Sequence, residues 1–379
     1  MVNRKWGLWL LGVVATLSVL AGCYNALVPA NASFDFQWDA ALVLAKGFNP
    51  YLYTLNHLAA FTDTFMPDPL QANQIPSCLL LLWPYTWLPW PLAKGVWLVT
   101  NLAATIGLLQ LGSKAMGVSV SNHQKGLIAA LFLIGTPFRV TLGNGQHGLW
   151  ALFFLVSALA LGDQKKPWLS GLCLGLSWLK YTLTGPFVLL FIKKKQFAPI
   201  AVATGFHLLL TGLASGLTHT SPLTLILQSI AVSKTLTQAG LVDAASLFSP
   251  TLALMVSATL VTSTLVYVWK SNSQPHQFMV ISLASLLMVY HRIYDFVGLL
   301  FILIALVSSA GKDISTRTQQ ALWATLLGFF WAERAVISLG HYEAFRWILA
   351  VIIYTAYALL FIDLKSDRQK PAVVGHSTR

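Results

Sequence analysis

The sequence predicts an all-α, polytopic helical membrane protein, and three observations lead to this prediction. Hydrophobic residues make up 56% of the 379 residues and charged residues only 9%, so that lipid is the expected main solvent. Long apolar runs recur along the chain at the length that a membrane-crossing helix needs. Alternating β patterns are absent, and helices must then satisfy the backbone inside the bilayer.

Twelve apolar segments are candidate spans, which predicts a bundle of about ten to twelve transmembrane helices. They are approximately residues 6–28, 75–92, 95–112, 126–142, 147–162, 168–192, 197–216, 250–269, 277–291, 294–310, 319–340 and 346–362. We expect residues 1–365 to form a single transmembrane bundle, with an outer loop at 29–74. Residues 366–379 are expected to be a cytoplasmic tail.

The first span admits two interpretations. Arg4 and Lys5 precede an apolar run that ends in V-L-A-G-C at Cys23, which also fits a secretory signal with a lipoprotein cleavage site. We favour an uncleaved helix, because apolar sequence continues to Val28 and gives the length of one crossing.

Charge at the two ends sets the expected orientation. Basic residues precede the first span and follow the last, at Lys365, Arg368 and Lys370. Since cytoplasmic loops collect Lys and Arg, both termini should lie in the cytoplasm and the number of crossings should be even. The loop 29–74 then faces outward. We expect a multi-pass protein of the inner (plasma) membrane with its functional site on the outer face.

The outer loop carries the most informative carboxylates. Only 12 residues of the chain are acidic, yet Asp35 and Asp39 directly follow the first span. A helix here would have an apolar stripe of Phe34, Trp38, Ala41 and Ala45. Such a helix should lie flat on the membrane interface, with Asp35 and Asp39 on one neighbouring face. Two close like charges raise the pKa of at least one, which suits a general base; the alternative is that one Asp caps the helix.

The apolar run 168–192 has lysines on both sides, at 165–166 and 193–195. Both ends should therefore be cytoplasmic, which predicts two short half-helices that meet near 181–186. Lys180 lies at the centre of the run, where lipid exposure costs roughly 2.5–3.5 kcal/mol. It should face a cavity or an anionic partner; the alternative is a structural pair or a side chain that reaches the surface. The preceding turn, 143–148, has no charge that assigns it to either face.

Several motifs in order resemble glycosyltransferase family 87. They are D-F-Q-W-D-A-A (35–41), K-G-F-N-P-Y (46–51), a proline-containing span (Pro76, Pro84, Pro89), G-N-G-Q (143–146), and Lys180 followed by Pro186 and a basic run. The resemblance covers roughly the first two hundred residues, with a looser echo at Y-H-R-I-Y-D (290–295).

The resemblance implies an integral membrane enzyme of the GT-C fold. Such an enzyme moves a sugar, here mannose or another hexose, from a polyprenyl-phosphate donor to a lipid or glycan acceptor. The family's catalytic base falls on Asp35, and the implied displacement inverts the anomeric carbon. One carboxylate suffices, because a lipid phosphate leaves with little protonation, whereas a glycoside hydrolase needs a second carboxyl group.

Cations in the outer half of the bundle should hold the departing phosphate. His291 and Arg292 are the first choices. The further candidates for substrate binding are Lys180, Gln146, His147, Arg139, Arg334 and Asp39. Two alternatives remain: Arg292 forms a structural pair with Asp295, or a backbone carbonyl satisfies His291.

Other functions are less favoured by the sequence. The excess of basic residues lies in short loops between apolar runs, which argues against nucleic-acid binding. No Asp-x-Asp motif or His cluster has metal-ligand spacing, and the cysteines, Cys23, Cys78 and Cys173, have no redox spacing; we expect no metal and no cofactor. A transporter or lipid flippase is the main alternative, although no inverted repeat or nucleotide-binding loop is apparent. A noncatalytic scaffold of envelope assembly is a third.

Overall fold

The fold is known from a computed structural model, which describes residues 4–28, 35–57, 70–236, 240–332 and 342–369. Within these ranges the chain is helical and contains no strand. The helices are α1 Arg4–Leu27, α2 Trp38–Ala45, α3 Pro50–Leu55, α4 Pro76–Leu82, α5 Trp90–Ala115, α6 Asn122–Ile134, α7 Thr136–Asn144, α8 Gly148–Asp163, α9 Pro167–Ser177, α10 Tyr181–Thr184, α11 Val188–Lys193, α12 Phe197–Thr218, α13 Pro222–Leu236, α14 Ala244–Leu247, α15 Pro250–Lys270, α16 Gln274–Met288, α17 Leu300–Val307, α18 Thr316–Leu326 and α19 Tyr342–Gln369. Short 3-10 turns occur at Trp83–Trp87, Trp178–Lys180, Gly185–Phe187, Ile293–Leu299 and Ser309–Asp313, and a π-helical turn at Leu327–Ala332.

Six helical segments of the described chain are long and apolar enough to cross a membrane. They are Trp6–Leu27, Trp90–Ala115, Pro167–Lys193, Phe197–Thr218, Pro250–Lys270 and Tyr342–Leu364. A seventh results if α6 and α7, which are bent by 61°, count as one span. The prediction of a polytopic helical membrane protein is confirmed. Other predicted spans form shorter helices; the run 75–92, for example, is divided between α4 and a 3-10 turn that contains Pro84, because proline removes a helical donor.

The segment from α9 to α11 folds back on itself. A continuous helix over these 27 residues would be about 40 Å long. Its two ends nevertheless meet, since Lys194 Nζ lies 2.9 Å from Asp163 Oδ1. Near the same end, a Cβ on Gly162 would lie 3.2 Å from Ser170 and 2.6 Å from Gln196. Length and composition alone would allow one crossing, but these contacts agree with the two predicted half-helices.

The tip of this hairpin lies at Lys180. The backbone leaves the helical region there, with φ −123° and ψ 62°. Just beyond it, the Thr184 hydroxyl donates a 2.7 Å hydrogen bond to the Ser177 carbonyl oxygen, which closes the reversal. The hairpin therefore carries the Lys180 side chain away from its lysine-rich base and into the bundle.

Nine lysines of the described chain collect at one end of the bundle. Cross-helix contacts at this end join Gln274 to Ala115, Lys193 to Val268, Gln124 to Val307 and Ser315 to Asp363. The cations beside these contacts are Lys114, Lys125, Lys165, Lys166, Lys193, Lys194, Lys195, Lys270 and Lys312. Large exposed apolar side chains belong mainly to α1, α5, α12, α13, α15 and α19, as expected of a lipid-facing surface.

Helix α2 packs inside the bundle and does not lie on its surface. Trp38 is buried; its indole Nε1 donates to the Tyr85 carbonyl oxygen at 3.0 Å, and its ring lies 5.6 Å from that of Trp90. Ala41 is buried too. The predicted helix exists, but protein and not lipid covers its apolar stripe, because the indole gains both a hydrogen-bond partner and apolar contacts in the bundle. Phe34 lies outside the described residues.

Candidate active site

Asp35 lies in the turn that precedes α2, not in the helix. Gln37 separates it from the helix with a left-handed backbone, φ 63° and ψ 25°, and occupies the N-cap position without a side-chain cap bond. Asp39 lies in the first helical turn and is buried. The prediction that Asp35 and Asp39 share a helix face is therefore wrong, and so is the alternative that one of them is the cap.

The surroundings of Asp35 make its carboxylate a candidate base. The residue is partly buried, and Asn144 Nδ2 donates a 2.8 Å hydrogen bond to its Oδ2. Burial raises the pKa of Asp35 above its ordinary value, while the hydrogen bond from Asn144 and the charges of Lys180 and Arg292 act in the opposite direction. The predicted direction of the shift holds, but its cause is burial and not repulsion by Asp39.

The turn at 143–148 brings Asn144 to Asp35. Helix α7 ends at Asn144, and Gly145 reverses the chain with a left-handed φ of 70°, which glycine adopts without strain. Trp97 Nε1 donates to the Gly145 carbonyl oxygen at 2.7 Å, and His147 Nε2 donates to the Phe36 carbonyl oxygen at 3.1 Å. The turn therefore lies at the Asp35 end of the bundle, which charge alone did not establish.

Asp35 borders a cavity of about 350 Å³. This volume is within the range of about 300–1,000 Å³ that is usual for small-molecule sites. The polar lining residues are Asp35, Asn73, Gln74, Gln146, Lys180, Tyr181, Thr182, Ser233, Lys234, Tyr290 and Tyr294, and the apolar ones are Ile230, Ala245, Met288 and Val289. The cavity thus places a carboxylate, two ammonium groups, neutral amides and aromatic rings around one space.

Lys180 both faces this cavity and belongs to a buried ion-pair cluster. Its Nζ lies 3.1 Å from Asp295 Oδ1, and His291 Nδ1 lies 3.0 Å from Asp295 Oδ2. The same ammonium group lies 3.4 Å from Gln146 Oε1. Lys180 therefore lines a cavity, as predicted, and also forms the structural ion pair that was the alternative. Both are possible because Asp295 lies just beneath the cavity wall.

The two cations chosen first from the sequence differ in their surroundings. Neither of them is among the residues that line the cavity. His291 is buried and donates from Nε2 to the Ser285 carbonyl oxygen at 3.0 Å, as its structural alternative predicted. Arg292 is half-buried, and its guanidinium group lies 5.8 Å from the ring centre of Tyr290. Arg292 bonds Asp295 through its backbone: its N–H donates to Asp295 Oδ2 at 3.2 Å, and its carbonyl oxygen accepts from the Asp295 N–H at 2.9 Å. The guanidinium group therefore remains a candidate for phosphate binding.

The remaining candidates are dispersed. Gln146 lines the cavity, whereas His147 is completely buried and supports the turn that contains Asp35. Arg139 lies on α7 beside α1 and is not among the lining residues, and neither is Asp39. Arg334 lies outside the described residues. No group of three or more His, Cys, Asp or Glu side chains in the described chain is arranged to hold a metal.

Several site residues were not singled out by the sequence. Asn144 occurs in the motif G-N-G-Q, and both Tyr290 and Tyr294 occur in Y-H-R-I-Y-D, but neither motif showed which side chain faces the site. Asn73 and Gln74 follow no recognisable pattern. Their position becomes apparent only when the segment before α4 is packed against α2 and α3.

Comparison with protein-family models gives a match. The family model described as Glycosyltransferase family 87 matches residues 76–291, more than half of the chain. The matched range includes Gln146, Lys180 and Tyr290 but begins after Asp35. No curated protein and no solved structure matches the chain.

Proposed function

The chain belongs to glycosyltransferase family 87, and we propose that it transfers a hexose such as mannose from a polyprenyl phosphate to a lipid or glycan acceptor. Family membership makes it a membrane glycosyltransferase; the donor, the acceptor and the roles of residues are the proposal. One observation supports these roles best: Asp35 and Lys180 line the same cavity. A proton acceptor and a cation are the two groups that this transfer requires.

The proposed step is a single displacement. Asp35 accepts the proton of the acceptor hydroxyl as the acceptor oxygen forms its bond to the anomeric carbon. The bond between that carbon and the phosphate oxygen breaks, and its electron pair leaves with the lipid phosphate. Attack opposite to the leaving group inverts the anomeric configuration. The raised pKa of Asp35 strengthens it as a base relative to a fully solvated aspartate.

The leaving phosphate needs positive charge near the cavity. Lys180 supplies an ammonium group on the cavity wall, and Arg292 lies close enough for its charge to act on Asp35. Arg292 suits the role because a guanidinium group contacts two phosphate oxygens at once. We assign to these two residues the binding of the donor phosphate.

The lipid part of the donor has a suitable wall beside the cavity. Ile230, Met288 and Val289 line it, and Val289 is 40% exposed at the surface of the bundle. An isoprenoid chain that lies between these side chains and the surrounding lipid keeps its apolar surface out of water. This wall supports a lipid-linked donor over a water-soluble sugar nucleotide.

The charge distribution supports an orientation for the site. Lysines cluster at the end of the bundle where Asp163 meets Lys194, and cytoplasmic loops are the ones that collect such residues. We place that end in the cytoplasm and the Asp35 cavity towards the outer face of the plasma membrane. Polyprenyl-phosphate sugars are membrane-anchored and can reach such a cavity from the side.

A donor panel tests this function. The purified protein in lipid nanodiscs is incubated with polyprenyl phosphates that carry mannose, glucose or arabinose, and with alkyl glycosides as acceptors. We expect the mannose or glucose donor to release free polyprenyl phosphate in an acceptor-dependent manner, with an inverted anomeric configuration in the product; release from the arabinose donor alone would contradict the choice of a hexose. Lack of release from every donor would contradict the proposal. Movement of a donor across liposomes without cleavage would instead indicate a transporter or flippase.

A further inference from the structure

Asn73 and Gln74 are two consecutive uncharged residues of the cavity lining, which we call the amide edge. We propose that the amide edge is a subsite for a neutral, hydroxyl-bearing sugar ring. The inference rests on the proposed function, because it names a substrate group for the same cavity. Two observations support it: the backbone of the edge is fixed by hydrogen bonds, and its side-chain amide groups are available to a ligand.

The backbone of the amide edge is fixed by the turn that carries Asp35. Gln37 reaches across to it: its Nε2 donates to the Gln71 carbonyl oxygen at 2.8 Å, and its Oε1 accepts from the Asn73 N–H at 3.0 Å. Two residues before this clamp, Asp35 lines the same cavity. The clamp thus fixes the candidate base and the amide edge relative to each other.

Helix α3 fixes the same segment from another direction. The Ala72 N–H donates to Thr54 Oγ1 at 2.9 Å, and the Tyr51 hydroxyl donates to the Gln74 carbonyl oxygen at 2.6 Å. One backbone group of each edge residue, the Asn73 N–H and the Gln74 carbonyl oxygen, is therefore bonded to the protein. The side chains of the edge are held at the cavity wall without having to stabilise the segment themselves.

The side-chain amides of the edge have no hydrogen-bond partner within the described part of the chain. The bonds of Asn73 and Gln74 there involve their backbone atoms alone. An amide offers two donor hydrogens and an acceptor oxygen, which match the hydroxyl groups of a sugar. Gln146 and Ser233 add similar neutral groups to the wall. An anionic group is better placed beside a lysine of the lining, Lys180 or Lys234, so that the uncharged edge suits the uncharged part of a substrate.

Aromatic rings complete the environment that a sugar ring needs. Tyr181, Tyr290 and Tyr294 belong to the same lining. Aromatic rings in a cavity wall offer apolar contact to the C–H groups of a pyranose, while amides bind its hydroxyls; Lys180 and Arg292 lie near the rings of Tyr294 and Tyr290. Both the donor sugar and an acceptor sugar have this chemistry, and the experiment below separates the two.

The first test measures binding without turnover. Saturation-transfer NMR is recorded on the protein in glycoside-free nanodiscs with octyl α-mannopyranoside and, separately, with 1-octanol. We expect the wild type to give ring-proton signals of the mannoside. These signals should fall at least fivefold in the double variant Asn73→Ala/Gln74→Ala, and by a smaller factor in Asn73→Ala alone. Gln71→Ala is the matched control, because this exposed glutamine lies on the same segment but does not line the cavity, and it should keep the signals.

Two outcomes of this test would overturn the subsite. One is an unchanged ring-proton signal in the folded double variant, as judged by its elution and thermal midpoint; if that variant does not fold, Asn73→Ala decides alone. The other is the absence of ring-proton signals in the wild type while octanol binds. Neither result depends on catalysis, so a failure of the proposed glycosyl transfer is detected separately by the donor panel.

The second test identifies which sugar occupies the edge. If the edge binds the acceptor sugar, the double variant should have an acceptor KM raised about tenfold and an unchanged donor KM in the transfer assay. The tenfold change in the acceptor KM corresponds to a loss of about 1.4 kcal/mol of binding. A donor subsite predicts the reverse pattern. If neither KM changes, no sugar ring of the reaction contacts the edge and the proposal is wrong.

Discussion

The hydrogen bond from Asn144 to Asp35 gives the sharpest test of the base. Asn144 Nδ2 lies 2.8 Å from Asp35 Oδ2 and favours the charged form of the carboxylate. In Asn144→Ala this support is lost while the burial that raises the pKa of Asp35 remains. The pKa should therefore rise further, and the carboxylate should become protonated at a higher pH than in the wild type.

The size of the effect follows from the strength of the bond. A hydrogen bond to a charged group is worth about 1.5–3 kcal/mol, and the exposure of Asn144 places this one at the lower end. One pKa unit corresponds to about 1.36 kcal/mol. The acidic limb of kcat/KM should thus move upward by about one pH unit, while the activity at high pH is largely kept, because the deprotonated base is the same.

The assay is kcat/KM for sugar transfer, measured from about pH 4 to pH 8, where such a limb reports the base of the free enzyme. Asn122→Ala is the matched control, since Asn122 is exposed at the start of α6, at the other end of the bundle. Its profile should coincide with that of the wild type. An acidic limb that stays in place or moves downward in Asn144→Ala would refute Asp35 as the titrating base.

Three further predictions concern the cations and the hairpin. Arg292→Ala should raise the donor KM about tenfold and leave the acceptor KM nearly unchanged, because the proposed contact is to phosphate; an unchanged donor KM in initial-rate measurements would reject that contact. Asp295→Asn removes the anion that lies 3.1 Å from Lys180 and should destabilise the fold by about 3–5 kcal/mol, seen as a lower thermal midpoint; an unchanged midpoint would show that the pair contributes little. Cysteines placed at Asp163 and Lys194 in a cysteine-free background should be joined by a short bifunctional thiol reagent, since the native side chains meet at 2.9 Å. A mass spectrum without the link would contradict the folded-back segment.

The parts of the fold that follow from local signals were predictable. Apolar runs gave the helical membrane architecture, and lysines at both ends of 168–192 gave the reversal near Lys180. The burial of α2 was not predictable, because the partners of Trp38 come from Tyr85 and Trp90, which are distant in sequence. An amphipathic stripe shows that a helix has an apolar face, but not whether protein or lipid covers it.

The site was predictable only in part. Asp35 was singled out by its place in the chain and by the family resemblance, and its role remains a proposal. Asp39 was grouped with it by helical spacing, which the left-handed backbone of Gln37 breaks. The hydrogen-bond partner that the structure does supply, Asn144, lies 109 residues further along the chain. No pattern within one segment reveals a contact of that kind.

The central proposal is that the carboxylate of Asp35 accepts the proton of the acceptor. The most direct measurement is sugar transfer by purified Asp35→Asn with the donor that the wild type uses, beside Asp313→Asn, which changes an exposed aspartate at the lysine-rich end. General-base catalysis contributes about 10²–10⁴-fold, so Asp35→Asn should lose that much in kcat while it folds normally and still binds donor. The Asp313 variant should transfer sugar at the wild-type rate. A folded Asp35→Asn protein with an undiminished rate would contradict the assignment.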